Sequence, residues 1–225
     1  MLLPIAYQVL FGNSPSPIVQ QASSASTVTT IVLPGDITAG DILVILDHAD
    51  ALDPGPTLVT PTGWTSIDDR TVSGGGNTWR QNLSFKPAEG NEGFSTITGM
   101  SGDSKLKVLV TFRPNVSANT LTPSVGFGTA STGNPAAQTI TSSEGVHPLI
   151  VLAGYGARDD VDPRTFTVNG LADKDDERNS VNDSTTANRV WLAWKIYNEV
   201  PADVVFDMDD EGSGNMLTGG YIEVA

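Results

Sequence analysis

The sequence predicts an all-β chain, an antiparallel two-sheet β-sandwich of jelly-roll-like kind, with a repeat that suggests two related halves. Three observations predict it. Glycine at 23 and proline at 14, among many Thr, Ser, Asn and Val, favour short strands and frequent turns over helices. The apolar runs are short and bounded by turn residues, as in residues 42–46, which follow Ala39-Gly40-Asp41 and precede a Pro/Asp-rich loop. And one plan occurs twice. The run His147-Pro148-Leu149-Ile150-Val151-Leu152 repeats the one at 42–46, and the spacing that carries Gly63 to Gly170 carries Asp68-Asp69 to Asp175-Asp176. With a small drift it also carries Leu83-Ser84-Phe85-Lys86 to Leu192-Ala193-Trp194-Lys195. A repeat this long is not a solenoid period, and related halves of this size share one core.

Taken in order, residues 1–21 read as an N-terminal arm and residues 22–225 as a single β-sandwich domain. The arm carries an apolar set, Leu2, Leu3, Ile5, Tyr7, Val9 and Phe11, cut off by Asn13-Ser14-Pro15-Ser16-Pro17. A soluble monomer rarely leaves such a segment exposed, so these residues are interface candidates toward a neighbouring subunit, the alternative being an extra edge strand on the chain's own sheet. The arm has no basic region, the first Lys or Arg being Arg70, and it breaks at Pro4, so neither a signal peptide nor a membrane anchor is expected. Residues 20–26 are polar and turn-like, and residues 27–33 are the first expected strand. Residues 42–46 follow, then a loop over 47–56, then Thr60-Pro61-Thr62-Gly63-Trp64, a tight turn that delivers one large aromatic as a plug on the sheet.

After the turn at Gly74-Gly75-Gly76, residues 79, 81, 83 and 85 alternate as the inward face of a half-buried strand, with Arg80, Asn82, Ser84 and Lys86 outward. Residues 105–113 give the clearest strand, with Leu106, Val108, Val110 and Phe112 inward and Lys107, Thr111 and Arg113 outward. Residues 120–141 are weakly patterned, with Val125 and Phe127 as one short strand. The second half is expected to place strands at 149–153, 166–168, 189–197, 204–208 and 216–224, with polar loops at 158–163 and 172–183.

A formal charge of −14 argues against a nucleic-acid partner, which needs a Lys/Arg surface, and against anionic membranes. With no cysteine, neither disulfides nor thiolate chemistry are available. His48 and His147 sit at strand ends without the Ser or Cys and the orienting acid that a triad requires, so no catalytic residue is expected and the chain reads as no enzyme. Acidic residues are abundant enough that some pair will always suit a glycosidase, and such clusters are solvated faces as a rule.

Calcium is the ion that the acidic loops would take. Asp159, Asp160 and Asp162 in one loop, Asp207, Asp209 and Asp210 in another, and Asp47 to Asp53 each gather hard oxygen donors, but none has EF-hand spacing. The expectation is therefore no cofactor. Of the four tryptophans, Trp64, Trp79 and Trp194 are accounted for by the core. Trp191 falls on the opposite face from Trp194 beside Arg189 and Tyr197, which makes Trp191 and Tyr197 further interface candidates.

The opening Ala39-Gly40-Asp41-Ile42-Leu43-Val44, the turn Thr60-Pro61-Thr62-Gly63-Trp64-Thr65, and Leu83-Ser84-Phe85-Lys86-Pro87-Ala88-Glu89 running on to Glu92 in a K-x-A-x-x-x-E pattern resemble a family of small β-sandwich proteins encoded in tailed phages and prophages. The resemblance spans roughly residues 27–225. It implies a virion component at a tail, a fibre or the capsid surface, and it brings no catalytic residues. The chain departs from the family in starting almost directly with the sandwich, without a long fibre shaft. The function expected is a non-enzymatic structural part of the virion, tail-associated at tip or fibre, assembling with copies of itself and with other virion proteins. A host-surface glycan-binding module and a capsid decoration protein are the alternatives.

Overall fold

The computed structural model describes residues 18–26, 30–52, 55, 57–74, 77–97, 106–114, 121–123, 127–132, 138–141, 149–158, 166–168, 176–182, 188–197, 203–208 and 213–224. Among them every element is a β-strand and every pairing is antiparallel.

The first half contains β1 (Ile18–Ser26), β2 (Ile31–Val32), β3 (Ile42–Leu52), β4 (Thr65–Gly74), β5 (Asn77–Pro87), β6 (Thr96–Ile97) and β7 (Leu106–Arg113). Five of these form a sheet in the order β1-β7-β3-β5-β4, and β2 pairs with β6 apart from it. The second half contains β8 (Leu121–Pro123), β9 (Phe127–Thr132), β10 (Gln138–Thr141), β11 (Leu149–Arg158), β12 (Phe166–Val168), β13 (Asp176–Asn182), β14 (Asn188–Tyr197), β15 (Asp203–Met208) and β16 (Ser213–Val224). Its sheet runs β13-β14-β11-β16-β8, with β9 also along β16, and a separate sheet runs β10-β15-β12.

These two orders are the same order. The registers of β8 and β9 follow one another along β16, so together they occupy the place that β1 takes beside β7. The short pairs agree as well: β2 precedes β3 and joins β6, and β10 precedes β11 and joins β15. Each large sheet draws its strands from one half of the chain, whereas a jelly roll alternates strands between its two sheets.

The sheets meet through one buried cluster. The first supplies Ile42, Val44, Leu46, Leu83, Phe85, Val108, Val110 and Phe112, and the second supplies Ile150, Val190, Leu192, Trp194 and Ile222. Phe112 and Trp194 meet edge to face, ring centres 5.7 Å apart at 88°, a geometry the aromatic quadrupole favours. Leu83 and Leu192, and Phe85 and Trp194, which the repeat matches, sit in this same cluster.

The structure corrects several expectations, and most have one cause. The outer face of the first sheet is also covered, by Ile31, Leu33, Ile37, Ala88 and Ile97 packed on Leu43, Ile45 and Leu109. Lys107, Thr111, Asn82 and Ser84, expected outward, are therefore buried. The loop expected from residue 47 is strand instead, since β3 continues to Leu52. Asp47 is buried and its Oδ1 lies 3.8 Å from Lys107 Nζ, while His48 is a buried mid-strand residue and no strand end. Trp191, expected at the surface, is 2 % exposed: β14 has neighbours on both edges, and consecutive residues 190–194 are all buried.

Two further corrections concern polar strands. Residues 20–26, expected as a turn, lie in β1, and residues 172–183, expected as a loop, contain β13. Both are sheet edges, where backbone pairing needs no apolar alternation. The residue-21 boundary of the arm thus falls inside β1, and Leu2, Leu3, Ile5, Tyr7, Val9 and Phe11 lie outside the described residues. The Asp68-Asp69 match to Asp175-Asp176 is out of register. Asp68 faces Leu83 across β4–β5, whereas Leu192 faces Arg178 across β13–β14. The bulge in β4 between Ser66 and Asp68 accounts for one residue of the mismatch and the drift of the repeat for the rest, and Asp175 itself lies outside the described residues.

Candidate binding pocket beside Trp64

The turn into β4 is built by Pro61-Thr62-Gly63-Trp64. Gly63 takes φ +82°, a left-handed conformation that costs a side-chain-bearing residue about 1–2 kcal/mol. The turn closes with the Trp64 N–H donating to the Pro61 carbonyl at 3.0 Å. Trp64 is then held half-buried against the outer apolar cluster, as the plug reading expects, but it also lines a cavity.

The opposite wall is the loop after β5, and here the K-x-A-x-x-x-E pattern acquires a physical meaning. Glu92 Oε1 accepts from Lys86 Nζ at 3.1 Å and from the Glu89 N–H at 2.8 Å, and Oε2 accepts from the N–H groups of Gly90 at 2.8 Å and Asn91 at 3.2 Å. Burial pushes the Glu92 carboxyl up, but the Glu89 N–H, the Lys86 ammonium and the Gly90 N–H together hold it below the usual range. Burial pushes Lys86 down, and its partners Glu92 and Glu89 more than restore it. Gly90 lies at φ +89°, and a Cβ there would stand 2.7 Å from the Ala39 backbone nitrogen, so the loop can seat this closely only with glycine.

The third wall is Ser95, Thr96 and Ile97, with Leu33 and Leu43 completing a cavity of about 260 Å3. Between the lining residues Glu92 and Ser95 stands Phe94, 79 % exposed and at φ +59°. A bulky residue in that region is a strained outlier.

The Ala39-Gly40-Asp41 opening is a clasp. Asp41 is 1 % exposed and its oxygens accept from Arg113 Nε at 2.8 Å and Nη2 at 2.9 Å, and from the Thr38 N–H at 2.8 Å. Arg113 reaches further to the Asp36 carbonyl at 2.6 Å. The clasp joins the end of β7 to the turn before β3, and the Gly40 N–H donates to Ala88 O, binding that turn to the Glu92 loop.

A second polar group links the sheets. Thr218 Oγ1 donates to Gln81 Oε1 at 2.9 Å, and the Gly219 N–H reaches Asp68 Oδ2 at 3.3 Å. Burial raises Asp68 to about 6, against the lowering effect of Arg70 at 2.7 Å and of the Gly219 N–H.

Among the described residues no group of three or more His, Asp or Glu side chains is placed to hold a metal. Asp159, Asp160, Asp162, Asp209 and Asp210 lie outside the described residues, and Asp207 lies within β15, opposite Thr167 of β12. Tyr197 is the last residue of β14, and His147 lies outside the described residues. Sequence reasoning located the Trp64 turn and the Lys86–Glu92 pattern separately. The missing signal was that both flank β6, a strand of two residues that periodicity does not detect. Comparison with family models, curated proteins and solved structures returns no match to this chain.

Proposed function

We propose that this chain is a non-enzymatic structural component of a tailed-bacteriophage virion, tail-associated at the tip or fibre. In this reading it is a two-sheet sandwich of two related halves, working in copies beside other virion proteins. One observation carries the reading: the residues of the phage-type motifs are those that hold the body together. Asp41 clasps Arg113, Trp64 plugs the outer cluster, and Glu92 caps three backbone N–H groups. Motifs that serve turns and strand ends belong to a protein selected for a rigid shape. The charge of −14 fits a surface that meets proteins and solvent rather than packaged nucleic acid. Particles purified from cells carrying the encoding genome should contain the chain in a fixed ratio to the major tail protein, and tail-only preparations should retain it. Its absence from both, with the chain found free in the lysate, would end this reading.

A further inference from the structure

We propose that the cavity beside Trp64 binds a single neutral sugar ring of a carbohydrate chain. Sugars present C–H faces that stack on indole, and hydroxyls that need convergent polar partners. Trp64 supplies the first, and Thr62, Ser95, Thr96 and the Lys86 ammonium line the same space. At about 260 Å3 the cavity is smaller than the roughly 300–1,000 Å3 that drug-sized ligands occupy, which suits one ring with the rest of the chain outside.

Charge narrows the class. Lys86 pairs with Glu92 at 3.1 Å and stands 3.4 Å from Glu89, so this wall offers no uncompensated positive charge to an anion, and Glu92 is already committed to four donors. The ammonium binds Glu92 and, at 3.4 Å, Glu89, which leaves one of its three N–H groups for a ligand hydroxyl. The surrounding charge of −14 disfavours uronic or sialic acids. The walls are also preorganised, by the Gly63 turn on one side and the capped Glu92 loop on the other, so little ordering cost falls on binding. Phe94 keeps the loop closed rather than lining the cavity: its ring lies over Gly35, where a Cβ would collide with it, and its N–H donates to the Pro34 carbonyl at 3.3 Å. The site stands whether or not the chain is carried on a particle.

Saturation-transfer NMR on the full chain, with free glucose, galactose, mannose, N-acetylglucosamine and glucuronic acid, tests it, followed by titration of tryptophan fluorescence. At least one neutral sugar should bind with millimolar affinity, and more tightly than glucuronic acid. Trp64→Phe, which keeps an aromatic plug, should weaken binding about tenfold, and Thr96→Val, an exposed position in β6, about threefold. Both variants should keep the wild-type circular-dichroism spectrum. No binding by any neutral sugar, preferred binding of the acid, or neutral-sugar binding unchanged in both folded variants would each overturn the assignment.

Discussion

The two large sheets can be compared strand for strand. β1-β7-β3-β5-β4 corresponds to β8/β9-β16-β11-β14-β13, and β1 lies against β13 as β4 lies against β9, the exchange that a twofold axis between the sheets produces. Inward layers correspond too. Phe85 and Val110, on the strands flanking β3, match Trp194 and Gly220 on the strands flanking β11 by register, and all four are buried, so a larger aromatic on one strand is met by glycine on its neighbour but one. The difference lies in the connections. Between β3 and β4 the first half has the Trp64 turn, and between β11 and β13 the second has β12, which adds a third strand to the β10–β15 pair. The frame is fixed by facing apolar rows that must fill one space, whereas a connection only has to reach, so the connections are where the halves differ among the described residues and where the pocket is found.

The sharpest way to break the comparison is to charge the shared cluster. Val108 is fully buried in the middle of β7. Val108→Asp should cost more than about 4 kcal/mol, since it would bury a carboxylate among the apolar side chains of the shared cluster. If the halves share one core, the wild type unfolds in one transition and this variant loses both sheets together. Near-UV circular dichroism reads this out, because Trp64 and Trp79 report on the first half and Trp191 and Trp194 on the second. A variant that lost the first pair's signal and kept the second's would show two independent bodies.

The same contrast explains what was legible in the sequence. Strands that carry inward apolar rows, such as β5, β7, β14 and β16, announce themselves by alternation near where they were expected. β1 and β13 did not, because their stability comes from backbone pairing at an edge, to which side-chain pattern is blind. Alternation also misplaced Lys107 and Trp191, since it tells which residues share a face but not whether that face is covered. The pocket was hidden for a related reason. Its walls come from three segments joined by β2–β6, a pairing of two residues on each side, too short to leave a period.

A smaller effect sharpens the view that covers are local. Gly90→Ala faces both the left-handed φ and the Ala39 backbone at 2.7 Å, and should cost about 3 kcal/mol. Gly63→Ala has the same kind of φ but open space around it, and should cost about 1–2 kcal/mol. Hydrogen exchange should show the loss from Gly90→Ala in the loop and the outer cluster of the first half, with β11, β14 and β16 still protected. Equal costs at the two glycines would mean that the close seating of the Glu92 loop on Ala39 contributes nothing.

The smallest expected effect probes the contact between the halves. Asp68 belongs to β4, yet its Oδ2 accepts from the Gly219 N–H of β16, so it joins the two sheets. Its pKa in the folded chain, about 6, lies above the 3.8 of an unburied aspartate, burial being the main cause. The folded state therefore holds this proton more tightly than the unfolded state does. The group's contribution to stability is complete below about pH 4 and is lost as pH rises through about 6. With 26 acidic residues titrating in a similar range, wild-type stability alone cannot isolate it. The difference from Asp68→Asn can, because the amide keeps an oxygen for the Gly219 N–H and does not ionise. Thermal melts of the two proteins should nearly coincide in acid and separate by a few degrees, the variant higher, between about pH 4 and pH 7. Curves that stay parallel across that window would mean that Asp68 is solvated, and that the sheets meet there through Gln81 and Thr218 without it.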